Sequence, residues 1–152
     1  MLVSSTEPMT TAQTNDEFDS MSGGNPSAES EGRPGQARIL VVDDEPSIRE
    51  ILCDFLRMEG FQVHDAPNGR AALQVLAQHR FSVMISDLKM PEMGGLELLA
   101  EARDRHPEVV ALLMTGYGTV ETALAAMKTG AFDYILKPFK VEEVVHTVKR
   151  AL

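Results

Sequence analysis

The chain has a single cysteine, Cys53, among its 152 residues, so an internal disulfide is excluded. Nothing in its cysteine usage indicates an oxidising compartment, and the cytoplasm is the predicted location. The sequence also lacks a basic and apolar start of signal-peptide type, and no apolar run approaches the roughly 20 residues of a membrane span. We therefore expect neither secretion nor an association with a membrane.

Basic residues are also scarce. The chain has 14 Lys and Arg against 23 Asp and Glu, which gives a formal net charge of −9. Residues 1–36 hold six acids and one arginine, and residues 37–152 carry the remaining −4. Because binding to nucleic acid depends on clustered Lys and Arg that meet phosphates, we expect no direct nucleic acid binding by this chain.

The length suits one domain of ordinary size. Residues 1–36 are rich in Ser, Thr, Gly, Pro and acids, with Phe18 as their sole aromatic residue. Such a segment has too little apolar surface to offset the entropy lost on ordering. The composition therefore predicts a disordered tail at 1–36 and one globular domain at 37–152.

From Arg38 onward, short apolar runs alternate with stretches of helical periodicity. The apolar runs are Ile39–Val42, Phe61–Val63, Phe81–Ile85, Val109–Met114 and Phe132–Leu136. The helical stretches are 46–59, 69–79, 96–106, 119–129 and 141–152. This alternation predicts an α/β fold of five βα units around a five-stranded parallel sheet. The last stretch reaches Leu152 without a Gly or Asn stop, which leaves open whether that helix ends the protein or an output domain follows.

Polar residues stand where four of the five predicted strands end. Asp43 and Asp44 follow the first strand, Asp87 ends the third, Thr115 the fourth and Lys137 the fifth. Because the carboxyl ends of parallel strands meet at one edge of a sheet, these side chains should lie close together. Carboxylates suit Mg²⁺ and an ammonium suits phosphate, so the set predicts phosphoryl chemistry on an aspartate.

The second predicted strand ends at Asp65, which does not fit this set unless that strand lies at the edge of the sheet, away from the site. We therefore expect the strand order 2-1-3-4-5. With this order, strand one and strand three are neighbours and bring their acids together.

Four segments carry a resemblance to a known family. They are VVDDEPSIRE, SDLKMPEMGG, LLMTGYG and FDYILKPF, with 28 residues from Asp87 to Thr115 and 22 from Thr115 to Lys137. In this order and spacing, residues 38–152 resemble the receiver domains of two-component response regulators, which have a flavodoxin-like fold. The segment from Gly116 to Phe139 is most similar to the receivers of nitrogen-regulation-type regulators.

The resemblance implies a role for each site residue. Asp87 would accept a phosphoryl group from a phosphohistidine on a sensor histidine kinase or from a phosphotransfer protein. Asp44 and Asp87 would bind Mg²⁺ directly, the main-chain carbonyl of Lys89 would be a further ligand, and Asp43 would act through water. Lys137 would donate to the phosphoryl oxygens.

The resemblance also implies a conformational switch. Thr115 would hydrogen-bond the phosphoryl group, and Tyr134 would then turn inward. The surface of helix four, strand five and helix five would change as a result, and with it self-association or partner binding. A cis peptide bond between Lys137 and Pro138 is expected as well, because it would aim the lysine at the site.

Several residues also have simpler interpretations. Asp43 or Asp44 could cap the helix that starts at Pro46, Thr115 could belong only to a turn, and Tyr134 could be half-buried packing.

Three other protein classes are alternatives for this sequence. A phosphatase of the haloacid-dehalogenase kind places a DxD pattern after strand one, where this chain has Asp43-Asp44-Glu45. A flavodoxin needs a Ser/Thr/Gly phosphate loop there. A receiver whose chemistry is unused is the third alternative, and the intact Asp44, Asp87 and Lys137 argue against it. We therefore expect a phosphoacceptor signalling domain rather than an enzyme acting on an outside substrate.

Overall fold

The computed structural model describes residues 36–116 and 118–152. In these residues, five strands alternate with five helices. Strands β1 to β5 are Arg38–Val42, Gln62–Ala66, Val83–Asp87, Val110–Thr115 and Asp133–Leu136. Helices α1 to α5 are Pro46–Met58, Gly69–Gln78, Gly95–Arg105, Val120–Thr129 and Val141–Ala151. The predicted tail lies outside the described residues except for Gln36, whose side chain donates to the Gly60 carbonyl at 2.7 Å.

All five strands are parallel, in the order β2-β1-β3-β4-β5. The predicted order is therefore confirmed, and so is the flavodoxin-like architecture. β1 lies between β2 and β3 and is buried along its length, as its apolar run Ile39–Val42 requires in a parallel sheet that is covered on both faces. β2 is an edge strand, and Asp65 near its end is exposed.

Each face of the sheet has its own hydrophobic core, because neighbouring residues of a strand point to opposite faces. Leu40 and Val42 of β1 belong to the core that α2, α3 and α4 cover. Ile39 and Val41 belong to the core that α1 and α5 cover. The sheet edge that carries the polar residues therefore stays open between these two layers of helices.

The ends of α1 follow from its sequence. Pro46 occupies the start of the helix, where its fixed φ is favourable and its missing N–H is not needed. The helix ends before Gly60, which has a φ of 96°. Cys53 is buried within α1, and burial first of all raises the pKa of its thiol to about 11. It therefore has the character of a core residue.

α4 is anchored less firmly than α5. Its one buried side chain is Ala126, whereas α5 buries Val144, Thr147 and Val148. Since stabilisation grows with the apolar area removed from water, α4 can move at a lower cost in free energy.

The strands differ most from the apolar runs in β2 and β3. β2 continues past Val63 to Ala66, because an edge strand tolerates polar residues that a central strand does not. β3 starts at Val83, two residues later than its run. Phe81 instead packs before the strand, edge-on against the rings of His64 and His79. Among the described residues, no helix combines the length and apolar character needed to cross a bilayer.

Candidate functional site

The carboxyl ends of the central strands bring the predicted site residues together. Asp43 follows β1, Asp87 ends β3, Thr115 ends β4 and Lys137 follows β5. The Lys137 Nζ lies 3.0 Å from Asp43 Oδ2 and 3.3 Å from Asp87 Oδ1. Residues separated by up to 94 positions in the sequence thus share one cluster.

Three carboxylates of this cluster are placed to share a cation. One oxygen each from Asp43, Asp44 and Asp87 lies within 4.8 Å of the others. Asp43 is fully buried, Asp87 is buried and Asp44 is exposed. Mg²⁺ prefers oxygen ligands and keeps several waters, so a carboxylate set that opens on solvent fits this ion.

The open side of the cluster is a polar cavity of about 480 Å³. Its lining residues are Asp44, Glu45, Asp87, Lys89, Gly116 and Lys137. Lys89 is exposed at this cavity, two residues after Asp87. The Asp87 carboxylate is therefore accessible from this cavity.

The charges in the cluster perturb one another. Burial is the largest influence on Asp87 and raises the pKa of its carboxyl, the Asp43 charge raises it further, and Lys137 opposes both. Burial alone would lower the pKa of Lys137, but its hydrogen bond and charge contacts with Asp43 and Asp87 prevail and raise it. The cluster therefore has more negative charge than one ammonium can neutralise, which favours binding of a cation.

Asp43 also makes a local turn contact. Its Oδ1 accepts from the Glu45 N–H at 2.9 Å, while its Oδ2 accepts from Lys137. The N-cap residue of α1 is Glu45, and no side chain caps this helix. The alternative in which Asp43 or Asp44 serves as the cap is therefore wrong.

The backbone holds Lys137 and Thr115 in register at the ends of β5 and β4. The Lys137 N–H donates to the Thr115 carbonyl at 2.8 Å, and Thr115 is fully buried. The peptide bond between Lys137 and Pro138 is cis, as predicted. The lysine side chain thus leaves the strand end toward Asp43 and Asp87.

Gly95 lets the start of α3 approach the end of β3 closely. A Cβ at Gly95 would overlap the main-chain oxygen of Asp87 and approach the Cα of Leu88. The Gly95 N–H also donates to the Leu88 carbonyl at 2.7 Å. The start of α3 therefore packs directly against the backbone of the candidate phosphoacceptor, which only glycine permits.

Tyr134 is half-buried on β5, and its hydroxyl lies 2.8 Å from the hydroxyl of Thr122. Thr122 forms a capping box with Thr119 at the start of α4, and their hydroxyls are 3.1 Å apart. Sequence reasoning missed this capping box, although the Thr-x-x-Thr spacing before an alanine-rich helix signals a cap.

Arg49 was missed as well. It lies on α1, one turn after Glu45, and its Nη1 donates to the main-chain carbonyl of Asp43 at 2.7 Å. Its Nε donates to Asp65 Oδ2 at 3.1 Å. No local pattern announces this contact, because it depends on how α1 lies across β1 and β2.

The sequence model of the response regulator receiver domain matches residues 39–149. The chain belongs to the response regulator receiver domain family. The resemblance seen in the sequence is therefore confirmed, and the protein has a receiver domain of two-component systems.

This receiver domain is similar in sequence to known regulatory proteins. Regulatory protein AtoC of Escherichia coli strain K12 is 44% identical over 115 residues, which cover 76% of this chain and 25% of AtoC. The chain thus corresponds to about a quarter of this curated relative's length.

Solved structures show the same fold. The beryllofluoride-activated NtrC4 receiver domain dimer is 37% identical with a TM-score of 0.72, covering 75% of this chain and 94% of that one. The Thermotoga maritima response regulator TrrA, in complex with Mg(2+)-BeF, is 36% identical with a TM-score of 0.70, covering 77% and 100%.

Proposed function

We propose that Asp87 accepts a phosphoryl group in a Mg²⁺-dependent reaction and that this switches the receiver domain between two conformations to control an output partner or domain. The donor would be a phosphohistidine of a sensor histidine kinase or of a phosphotransfer protein. The observation that carries the proposal is the cluster of three carboxylates at an open edge of the sheet, two of which contact the Lys137 ammonium.

The reaction would be an in-line transfer. A carboxylate oxygen of Asp87 attacks phosphorus, an acyl phosphate bond forms, and the bond from phosphorus to the donor nitrogen breaks. Lys137 already lies 3.3 Å from Asp87 Oδ1, so its ammonium can follow the charge onto the phosphoryl oxygens. Hydrolysis by water would return free phosphate and the Asp87 carboxylate.

The Mg²⁺ ion would be held by the carboxylates of Asp44 and Asp87 and the main-chain carbonyl of Lys89, with Asp43 acting through water. Bound there, it would supply positive charge between nucleophile and phosphoryl oxygens, whose repulsion otherwise opposes the transfer. TrrA, a relative of the same fold, was solved in complex with Mg(2+)-BeF, which supports this choice of ion.

An apolar groove beside the site supports a protein as donor. A cavity of about 410 Å³ is lined by Ile48, Ile51, Lys137, Pro138, Phe139 and Val141. Ile51 and Phe55 on the neighbouring face of α1 are 48% and 40% exposed. A helix that presents a phosphohistidine could pack its apolar side here, because Lys137 belongs to both the groove and the polar cavity.

The switch would run from Thr115 to α4. A hydrogen bond from the Thr115 hydroxyl to the phosphoryl group exists only in the phosphorylated state, so it can shift an equilibrium between two conformations. As Thr115 moves, space opens for the Tyr134 ring, and the bond between Tyr134 and Thr122 breaks. Because Thr122 belongs to the capping box of α4, the start of this weakly anchored helix would be released.

The surface that would change is apolar, which supports self-association through α4, β5 and α5. Its exposed side chains are Val120, Leu124, Met127, Phe132 and Leu136. Exposed apolar groups that lie together on a surface favour contact with another protein. NtrC4, of the same fold, is a dimer in its beryllofluoride-activated receiver.

Mg²⁺-dependent labelling tests the proposal. The full chain, incubated with acetyl phosphate and Mg²⁺, should gain one phosphoryl group by mass spectrometry. Without the dication the carboxylates repel the incoming phosphoryl oxygens, so labelling should fall by 10-fold or more, on the order expected for loss of a metal's charge stabilisation. An excess of EDTA over Mg²⁺ provides the metal-free sample.

Ca²⁺ provides the control for ionic strength, because it has the same charge as Mg²⁺ but is a larger ion with looser geometry. Equal labelling with Mg²⁺ and with EDTA would contradict the metal requirement. An unlabelled wild-type protein, also after incubation with a phosphorylated kinase, would make this chain a receiver with unused chemistry.

The switch can be followed by NMR. Beryllofluoride, which stands in for the phosphoryl group on Asp87, should shift the amide signals of residues 116–140 and leave α2 nearly unchanged. The reason is that Thr115 and Tyr134 lie on the strands next to α4, whereas the strands that α2 contacts are β2 and β1. Coupling of about 1–3 kcal/mol, typical of such switches, would change partner affinity roughly 5–150-fold.

Thr115→Ala is the matched variant, because it should bind beryllofluoride and yet show smaller shifts over 116–140. Adduct formation without movement of these signals would leave a phosphate carrier and refute the switch.

A further inference from the structure

One arginine links the edge of the sheet to the candidate metal site. The guanidinium of Arg49 donates through Nη1 to the Asp43 carbonyl at 2.7 Å and through Nε to Asp65 Oδ2 at 3.1 Å. The Arg49 side chain is 17% exposed and that of Asp65 is 48% exposed. A planar fork that serves two acceptors at once has a defined position, which a lysine cannot reproduce.

The carbonyl that Arg49 contacts belongs to the peptide between Asp43 and Asp44. The N–H of Asp43, which belongs to the preceding peptide, donates to the Ala66 carbonyl at 3.2 Å. The orientation of the Asp43–Asp44 peptide determines where the exposed Asp44 carboxylate points. Arg49 thus contacts the carbonyl of the peptide bond that joins Asp43 to Asp44, and Asp65 holds Arg49 in place.

Charge alone would give Arg49 the opposite effect. A guanidinium close to the acidic cluster repels a dication, so its removal should tighten Mg²⁺ binding if electrostatics were its whole contribution. If Arg49 instead holds the backbone of the ligand pair, its removal should weaken binding. The two roles therefore differ in the sign of their effect.

We propose that Arg49, held by Asp65, is a positioning residue for Mg²⁺ binding: it orients the Asp43–Asp44 peptide so that the Asp44 carboxylate faces Asp87. This inference rests on the proposed function, because it assumes that Mg²⁺ binds at Asp44 and Asp87. It also gives Asp65, which has no place inside the cluster, an indirect part in the site.

Titration of Mg²⁺ into the metal-free full chain by calorimetry tests the inference. Arg49→Lys, Arg49→Gln and the double variant Arg49→Gln/Asp65→Asn should each bind Mg²⁺ roughly 10-fold more weakly, the lower part of the range for partners of metal ligands. Asp65→Asn should have a smaller effect in the same direction, since Arg49 keeps its bond to Asp43.

A purely electrostatic role gives a different set of results. Arg49→Lys would then bind Mg²⁺ like the wild type, Arg49→Gln would bind it more tightly, and the double variant would return to wild-type affinity because both charges are gone. That set of results would overturn the inference. If the wild type itself failed to bind Mg²⁺, the proposed function would fail first.

A readout without metal separates positioning from general loss of structure. In EDTA, the amide nitrogen signal of Asp44 should shift in Arg49→Lys, because its peptide loses a hydrogen bond at the carbonyl, while the signals of β4 stay in place. An unshifted Asp44 signal would also overturn the inference.

Arg150 and Asp133 provide the matched control pair. They join α5 to β5 through a 2.6 Å contact, with side chains 50% and 37% exposed, and neither contacts the acidic cluster. Arg150→Lys and Asp133→Asn should leave Mg²⁺ affinity unchanged. A loss equal to that of the Arg49 variants would mean that any helix-to-strand ion pair matters, and the positioning role would be refuted.

Discussion

Asp87→Asn should carry no phosphoryl group after incubation with Mg²⁺ and acetyl phosphate, under conditions that label the wild-type protein fully. An amide lacks the anionic oxygen that attacks phosphorus, and it is a weaker ligand for Mg²⁺. The Asp87 carboxylate is also the acid that lies against Lys137 at the open end of the cluster. Mass spectrometry of the intact chain measures the result.

The same variant should be more stable than the wild type without metal at pH 7, by about 1 kcal/mol, the size of a typical single-site effect. Burial and the Asp43 charge raise the pKa of Asp87 in the folded state. A raised carboxyl pKa means that the folded protein holds this proton more tightly than the unfolded chain, so stability falls as pH rises above the ordinary value of 3.8. Urea unfolding in EDTA should show the difference at pH 7 and little of it below pH 3.8.

Asp133→Asn is the control, because Asp133 is an acid outside the cluster whose partner is Arg150. It should be labelled as the wild type is. A phosphoryl group retained in full yield on Asp87→Asn would show that another residue is the acceptor, whatever the stability data say.

Lys137→Met should lower the free energy of unfolding in EDTA by about 2–4 kcal/mol, near the cost of breaking a buried ion pair by removing one partner. The Lys137 side chain is 16% exposed and its partner Asp43 is fully buried. Methionine fills a similar volume but leaves the carboxylates of Asp43 and Asp87 without their shared ammonium. Urea unfolding at pH 7 measures the loss.

Mg²⁺ should restore part of this stability. The ammonium competes with a dication for the same carboxylates, so the variant should bind Mg²⁺ more tightly than the wild type and gain more stability from it. Lys149→Met, which breaks the exposed pair with Glu59, should cost no more than about 1 kcal/mol. Equal losses for the two lysines would contradict a special role for the Lys137 cluster.

Much of the candidate site could be predicted because its residues sit at strand ends. A residue that ends a buried apolar run in a βα repeat must reach the carboxyl edge of a parallel sheet, whatever the helices do. This reasoning located Asp87 at the end of β3 and Thr115 at the end of β4, and the structure has both there. It located Lys137 to within one residue of the end of β5.

The sequence by itself therefore determined the βα alternation, the strand order and the meeting of Asp43, Asp87 and Lys137, since period and strand-end chemistry are local properties. Only the tertiary structure decided which atoms touch. It is the crossing of α1 over β1 and β2 that brings Arg49 to both the Asp43 carbonyl and Asp65. It is the packing of α4 against β5 that joins Tyr134 to Thr122. Such contacts depend on helix position and side-chain direction, which no spacing in the sequence encodes.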